Sequence, residues 1–400
     1  MDAHDRLPAE APADWRFALV RSVLEEDPRD ARAVAVVRAA IPESIRPAAD
    51  ADFDALDWLA FVEAESQTPL KVLFPPARET PELSTSQRLV GRYANVWRKD
   101  IIGLESDNLL ILSPVARPGA VARCLAYGEA LCAVLEEMFA LAVPESGEDL
   151  RGGLDQPLVL QLFASRDEYL SGAGDPSRGP EAASGLAWTA GHYDAKANVS
   201  RIFVPDDDRE LDSVLQTYLH ELAHHWLQMK CPLYSLDQTF ARTGVEPGFW
   251  VAEGFASMVE EFRIEPRTRR WIAENTVSRN LDLVANAGEK AYVPWKLLFE
   301  LSQARFWRLE STGEATIPST TRLGAAYPWT AKAMFYAQSA ATARWLWLGE
   351  EGRNRLVLLE FVRDFYTGKK ESLDLAKRLG RTPEEIGRAI AEYARAELTY

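Results

Sequence analysis

Apolar positions along this chain follow two rhythms, and the switch between them divides it. From Trp15 to Ala40 they recur at helical spacing on both sides of Asp27-Pro28, which predicts two helices joined as a hairpin after a loose tail over residues 1–14. Leu109 to Ser113 and Pro157 to Phe163 are short unbroken apolar runs, the pattern of buried strands. Between them, Ala120 to Leu141 is periodic enough for one long helix. Ser165 followed by Glu168 marks the start of another. GLAWTA and Val199 to Pro205 read as two further strands, with GHYDAKAN between them as a turn or short hairpin. From Asp206 onward nearly every periodic segment is helical. Strands with helices first and helices alone afterwards predict an α+β fold: a small mixed or antiparallel sheet packed on a helix, then an all-helical C-terminal subdomain, with an α-helical N-terminal region.

Three regions follow. Residues 1–85 form the helical N-terminal region, 86–265 the α+β subdomain and 266–400 the helical C-terminal subdomain; the first boundary is drawn beyond the proline-rich passage at 69–82. The N-terminal hairpin resembles one tetratricopeptide-like unit. A lone unit cannot bury its own face, so it packs on something else or offers a surface to a protein partner.

Composition narrows the function classes. The net charge is -15, and no run of five or six basic residues occurs, so nucleic acid and anionic membranes are repelled. No stretch approaches the roughly 18 uninterrupted apolar residues of a spanning helix. With 47% hydrophobic residues, the expectation is a soluble globular protein. The N-terminus lacks a basic start and apolar core, which predicts a cytoplasmic location unless a signal has been removed. Cys124, Cys132 and Cys231 are too few for a disulfide framework in a chain of this size.

The chemistry is concentrated in one place. Three of the five histidines fall in His220-Glu221-Leu222-Ala223-His224-His225, an HExxH motif. It lies within DDDRELDSVLQTYLHELAHHWLQM, where Asp207 or Asp208 can cap a helix and Leu211, Leu215, Tyr218, Leu222 and Trp226 fall near one stripe. His220 and His224, one turn apart, stack on one helix face and can take adjacent corners of a metal's tetrahedron. A catalytic zinc needs a third protein donor and an open fourth position. PGFWVAEGFASMVEEF supplies Glu253, 29 positions after His224, on a helix opened by Pro247 and Gly248. Gly254 beside it would let this helix approach the HExxH helix closely. Glu260 and Glu261, near the far end at the spacing of a solvated face, are the weaker alternatives.

Glu221 is then placed to take a proton from a zinc-activated water and return it to a leaving amine. An oxyanion formed on an amide carbonyl needs a second donor opposite the metal, for which Tyr336 is the candidate and Tyr327 its substitute. Each assignment has a plainer rival. The two histidines could be a hydrogen-bonded core pair, or the metal could be purely structural. Tyr336 could be core like Phe335, Trp345 and Trp347. His225 reads as a packing residue, His192 as a surface-turn histidine or a substrate contact, and Asp206 to Asp208 as a helix cap.

HELAHHW followed by WVAEGFA is similar to the gluzincin metallopeptidases. LLILSP, VLQLFASRDEYL, GHYDAKANVSRIFV, FYAQSAATARWL and LGRTPEEIGRAIAEYARA fall in the order of a bacterial branch of the peptidase MA clan. The resemblance covers about residues 105–400. It implies one zinc ion held by His220, His224 and Glu253, with Glu221 as general base. It also implies Tyr336 near the polarised carbonyl, and Val199 to Val204 as the edge strand on which an extended peptide or protein substrate lies. The chain departs from the pattern in two ways. Twenty-eight residues separate His224 from Glu253, making 231–247 a loop over the cleft, and Ser257 stands where an Asp often orients a ligand histidine. A zinc-dependent peptidase is the expected function. A non-catalytic zinc-fold scaffold and a zinc hydrolase of non-peptide amides are the alternatives.

Overall fold

The computed structural model describes residues 13–48, 53–68, 70–77, 80, 82–114, 118–141, 156–173, 189–205, 208–230, 247–266, 268–272, 278–287, 292–309, 330–367 and 373–398. Among these the chain is mixed α+β. Its strands are β1 Lys71–Leu73, β2 Ile101–Glu105, β3 Leu109–Pro114, β4 Leu158–Phe163, β5 Gly191–Asp194, β6 Val199–Phe203, β7 Arg263–Glu265 and β8 Arg270–Ile272. The first six helices are α1 Ala13–Glu26, α2 Ala31–Ala40, α3 Ala55–Gln67, α4 Thr85–Val96, α5 Pro118–Ala140 and α6 Arg166–Ala173. After them come α7 Asp208–Lys230, α8 Phe249–Glu260, α9 Arg279–Ala287, α10 Trp295–Glu300 and α11 Gln303–Trp307. The last four are α12 Ala331–Leu348, α13 Arg355–Thr367, α14 Leu375–Leu379 and α15 Pro383–Glu397.

Six strands form one sheet in the order β1-β2-β3-β4-β6-β5. β3, β4 and β6 run parallel, while β1-β2-β3 and β5-β6 are antiparallel. β3 and β4 are buried at every position because both faces are covered. Leu109 and Ile111 of β3 join the main core with α5, whereas Leu110 and Leu112 pack with Val90 of α4 on the opposite face. The parallel step from β3 to β4 requires a crossover, and α5 supplies it. α5 is long and apolar enough to span a membrane by length and composition, but 78% of its apolar window is buried inside the protein. Its side chains serve the core.

α3 packs on α5, and α1 and α2 pack on α3, so the N-terminal hairpin spends its apolar face within this chain. Asp30 caps α2 by accepting from the Arg32 and Ala33 N–H groups. The boundary expected near residue 85 is crossed by the sheet, since Val72 in β1 pairs with Leu104 in β2. One buried cluster runs from Val20 to Ala394. The expectation that strands end before Asp206 is corrected by the β7-β8 ribbon, which follows the end of α8.

Two further corrections concern the edge nearest the HExxH helix. GHYD is strand rather than turn: β5 starts at Gly191, and only residues 195–198 turn, with Asn198 at φ 53. β6 is therefore interior, paired with β4 on one side and β5 on the other, and the edge strand is β5. The family resemblance had implied that β6 is the edge. The sheet order that buries β6 is tertiary information. Most of the expected GLAWTA strand lies outside the described residues, as do the tail, Tyr327 and nearly all of the loop over 231–247.

Candidate metal centre

α7 carries the HExxH motif against β5 and β6 on one side and α5 and α8 on others. Leu215, Tyr218, Leu222 and Trp226 are buried as the stripe required, and the Tyr218 hydroxyl donates to the Cys124 carbonyl of α5 at 2.8 Å. This anchors the helix and turns His220 and His224 toward α8. α8 begins at Gly248, whose φ of 98 is the left-handed region open to glycine. Eleven consecutive α8 residues from Phe249 to Val259 are buried, Glu253 among them.

A buried carboxylate needs a charged partner. Glu253 finds two rings: its Oε2 lies 3.4 Å from His220 Nε2 and its Oε1 3.7 Å from His224 Nε2. The two Nε2 atoms are 3.2 Å apart. These three residues are the metal-capable cluster among the described residues, each offering one ligand atom within 4.8 Å of the others. Metal–nitrogen bonds of about 2.0–2.1 Å at tetrahedral angles put neighbouring donors about 3.3 Å apart, so the spacing fits a small divalent ion.

The far nitrogens of both rings are engaged. His220 Nδ1 donates to Glu260 Oε2 at 2.9 Å, and His224 Nδ1 lies 2.7 Å from the Tyr366 hydroxyl of α13. With the protons on Nδ1, both Nε2 lone pairs face each other and the carboxylate, an arrangement that demands positive charge at its centre. Protonation of a ring answers the same demand. Burial would lower His220, yet its hydrogen bonds to Glu253 and Glu260 carry it well above the ordinary histidine value. Burial would raise Glu253, yet the His224 and His220 rings hold it down to about 2.

Glu221 takes no part in this cluster. Its Oε2 accepts from the Tyr193 N–H of β5 at 2.8 Å, and burial, ahead of the opposing pull of His220 and His224, raises it above the usual carboxylate range. In the antiparallel pair, Phe203 N–H donates to the Ala190 carbonyl, which turns the main-chain groups of Gly191 and Tyr193 away from β6. The Tyr193 N–H that holds Glu221 is thus on the outer edge of the sheet.

Tyr336, on α12, comes to the same place. Burial is the main cause that raises its phenol well above the usual value, followed by the charges of Glu253, Glu221 and Glu260 and a hydrogen bond with Glu253. Its ring packs edge-on against Phe306 at 5.6 Å. The ring is seated in the core and the hydroxyl lies at the Glu253 carboxylate.

The remaining histidines are placed otherwise. His225 is buried, stacked on Tyr193 at 4.6 Å, with Nδ1 3.1 Å from the Ser200 hydroxyl; burial lowers it to about 3, so it packs as a neutral ring. His192 is a half-buried residue of β5, not of a surface turn, with Nδ1 2.9 Å from the Tyr169 hydroxyl.

Two expectations about α8 are corrected. Gly254 faces α12 rather than α7: a methyl there would collide with the Ser339 carbonyl. Glu260 and Glu261 are not a solvated face. Glu260 reaches His220, and Glu261 receives Ser278 and Asn280 and lies 3.7 Å from Arg344. Tyr366 and Tyr193 were not singled out by sequence reasoning, and Glu260 was named only as a weaker alternative to Glu253 as ligand. Only Glu260 had a local signal, an acidic residue at a helix C-terminus where the macrodipole disfavours it.

Comparison with protein-family models, curated proteins and solved structures returns no match for this chain.

Proposed function

We propose that this chain is a zinc-dependent peptidase of the gluzincin type. The observation that carries the reading is the convergence of His220 Nε2, His224 Nε2 and the Glu253 carboxylate, one ligand atom of each within 4.8 Å of the others, with Glu221 beside them but outside the donor set. A structural zinc would recruit a fourth protein ligand, usually cysteine. Cys124 and Cys132 are buried apart from this cluster.

Zinc, when bound there, supplies a Lewis acid that polarises a carbonyl and brings the pKa of a water toward about 7. The protein does the rest. Glu221, kept from full acidity by burial, accepts a proton from the attacking water and returns it to the amine as the peptide bond breaks. The Tyr336 hydroxyl donates a hydrogen bond to the oxyanion formed at the former carbonyl. An extended peptide lies along β5, the outer strand, where the main-chain groups of Gly191 and the Tyr193 carbonyl are directed outward. The net charge of -15 suits a neutral or basic peptide better than an acidic one.

The test is direct. Purified protein should retain about one equivalent of zinc by elemental analysis and cleave members of a quenched-fluorescence peptide library, and a chelator should stop cleavage reversibly. A protein that holds one zinc yet cleaves nothing in the library would favour the scaffold or non-peptide amidase alternatives. Absence of zinc uptake would end the reading.

A further inference from the structure

The two ring ligands are held by unlike partners. Tyr366, a neutral hydroxyl from α13, lies against His224 Nδ1, whereas Glu260, a carboxylate from the last turn of α8, lies against His220 Nδ1. The zinc ligand and the group holding the other ring thus come from the same helix seven positions apart, Glu253 and Glu260, which places them on one face two turns from each other. Ser257, also on that face, is buried but too short to act as a carboxylate.

Local physics argues against a carboxylate at residue 260 for the helix's own sake. The C-terminus of a helix carries a partial negative charge and favours Lys or Arg; an acidic residue there costs about 0.3–1 kcal/mol. This helix ends with two acids in succession. Glu261 recovers its cost from Ser278, Asn280 and Arg344. Glu260 has His220 as its hydrogen-bond partner, with 28% of its side chain exposed beside an 11% exposed ring. A residue that breaks a local rule without a structural return belongs to the site.

We propose that Glu260 is the positioning residue for His220. Its carboxylate accepts the Nδ1 proton, fixes the tautomer that bares Nε2, and makes that nitrogen a stronger donor. It thereby does from a turn further along the helix what Ser257 cannot do. The inference rests on the zinc reading above.

Zinc affinity tests it without recourse to catalysis. The full chain is stripped of metal, and its zinc Kd is measured by competition with a chromogenic chelator, for wild type, Glu260→Gln and Glu260→Ala. Gln preserves an acceptor and removes the charge, and Ala removes both. The Kd should rise about 10-fold in Gln and about 100-fold in Ala, while the melting temperature of the metal-free protein stays at the wild-type value. Cobalt-loaded Glu260→Ala should also show altered visible absorption. A Kd for Glu260→Ala within 2-fold of a zinc-binding wild type overturns the proposal and leaves the peptidase reading standing. Weaker affinity accompanied by an equally large loss of metal-free stability assigns Glu260 to the fold and overturns it as well. A wild type that takes up no zinc sinks both.

Discussion

The Tyr193 N–H donates to Glu221 Oε2 at 2.8 Å, tying this carboxylate of α7 to the outer strand of the sheet. The contact runs from main chain to side chain, so it survives replacement of the carboxylate by an amide. Glu221→Gln should therefore fold and hold zinc as wild type does, with kcat down by about 10²–10⁴-fold because only the basic oxygen is lost. Steady-state kinetics alongside zinc analysis checks both halves, and an active Gln variant would remove the proton-transfer role.

Glu253 is buried between two rings, and its removal acts on the metal first. Glu253→Ala should lower bound zinc well below one equivalent after dialysis. It also leaves His220 and His224 without the carboxylate between them. Undiminished zinc in this variant would take residue 253 out of the ligand set.

Tyr336→Phe separates the two roles of that residue. The ring still packs against Phe306 and Phe335, so the melting temperature should stay near wild type. The hydroxyl is gone, so kcat should fall about 10²–10³-fold at nearly constant KM and zinc content. Wild-type kcat would return Tyr336 to the core.

Gly254→Ala should destabilise the protein by about 1–3 kcal/mol, since the methyl meets the Ser339 backbone rather than a side chain that could move aside. Denaturant unfolding measures this. A stability equal to wild type would show that α8 and α12 can separate at no cost.

Metal removal should lower the unfolding midpoint as well as activity. An ion held by the folded chain alone contributes about 2.7 kcal/mol when present at 100 times its Kd. Melting curves with and without chelator read the difference, and identical curves would mean that no metal is bound to the native state.

What the sequence made legible and what it hid have physical causes. The HExxH helix and Glu253 stand out because side-chain spacing along a helix is a local property, and two histidines one turn apart must share a face. β3 and β4 were legible for the same reason, as short and mostly apolar runs. The pairing of Glu260 with His220 and of Tyr366 with His224 was hidden because the partners are 40 and 142 residues away, and nothing local marks a tyrosine as facing an imidazole. β5 was hidden because GHYD is short and polar. It becomes a strand by pairing with β6, and its place at the edge depends on the order of the whole sheet.

The reach from His224 to Tyr366 also bears on how the cluster comes into being. During synthesis the segment with both imidazoles emerges from the ribosome long before the helix that supplies the phenol behind the second one. Half-made polypeptide therefore carries the HExxH motif without its finished geometry, and the peptidase proposed above, its centre completed late, would not readily digest itself or its neighbours while still being born.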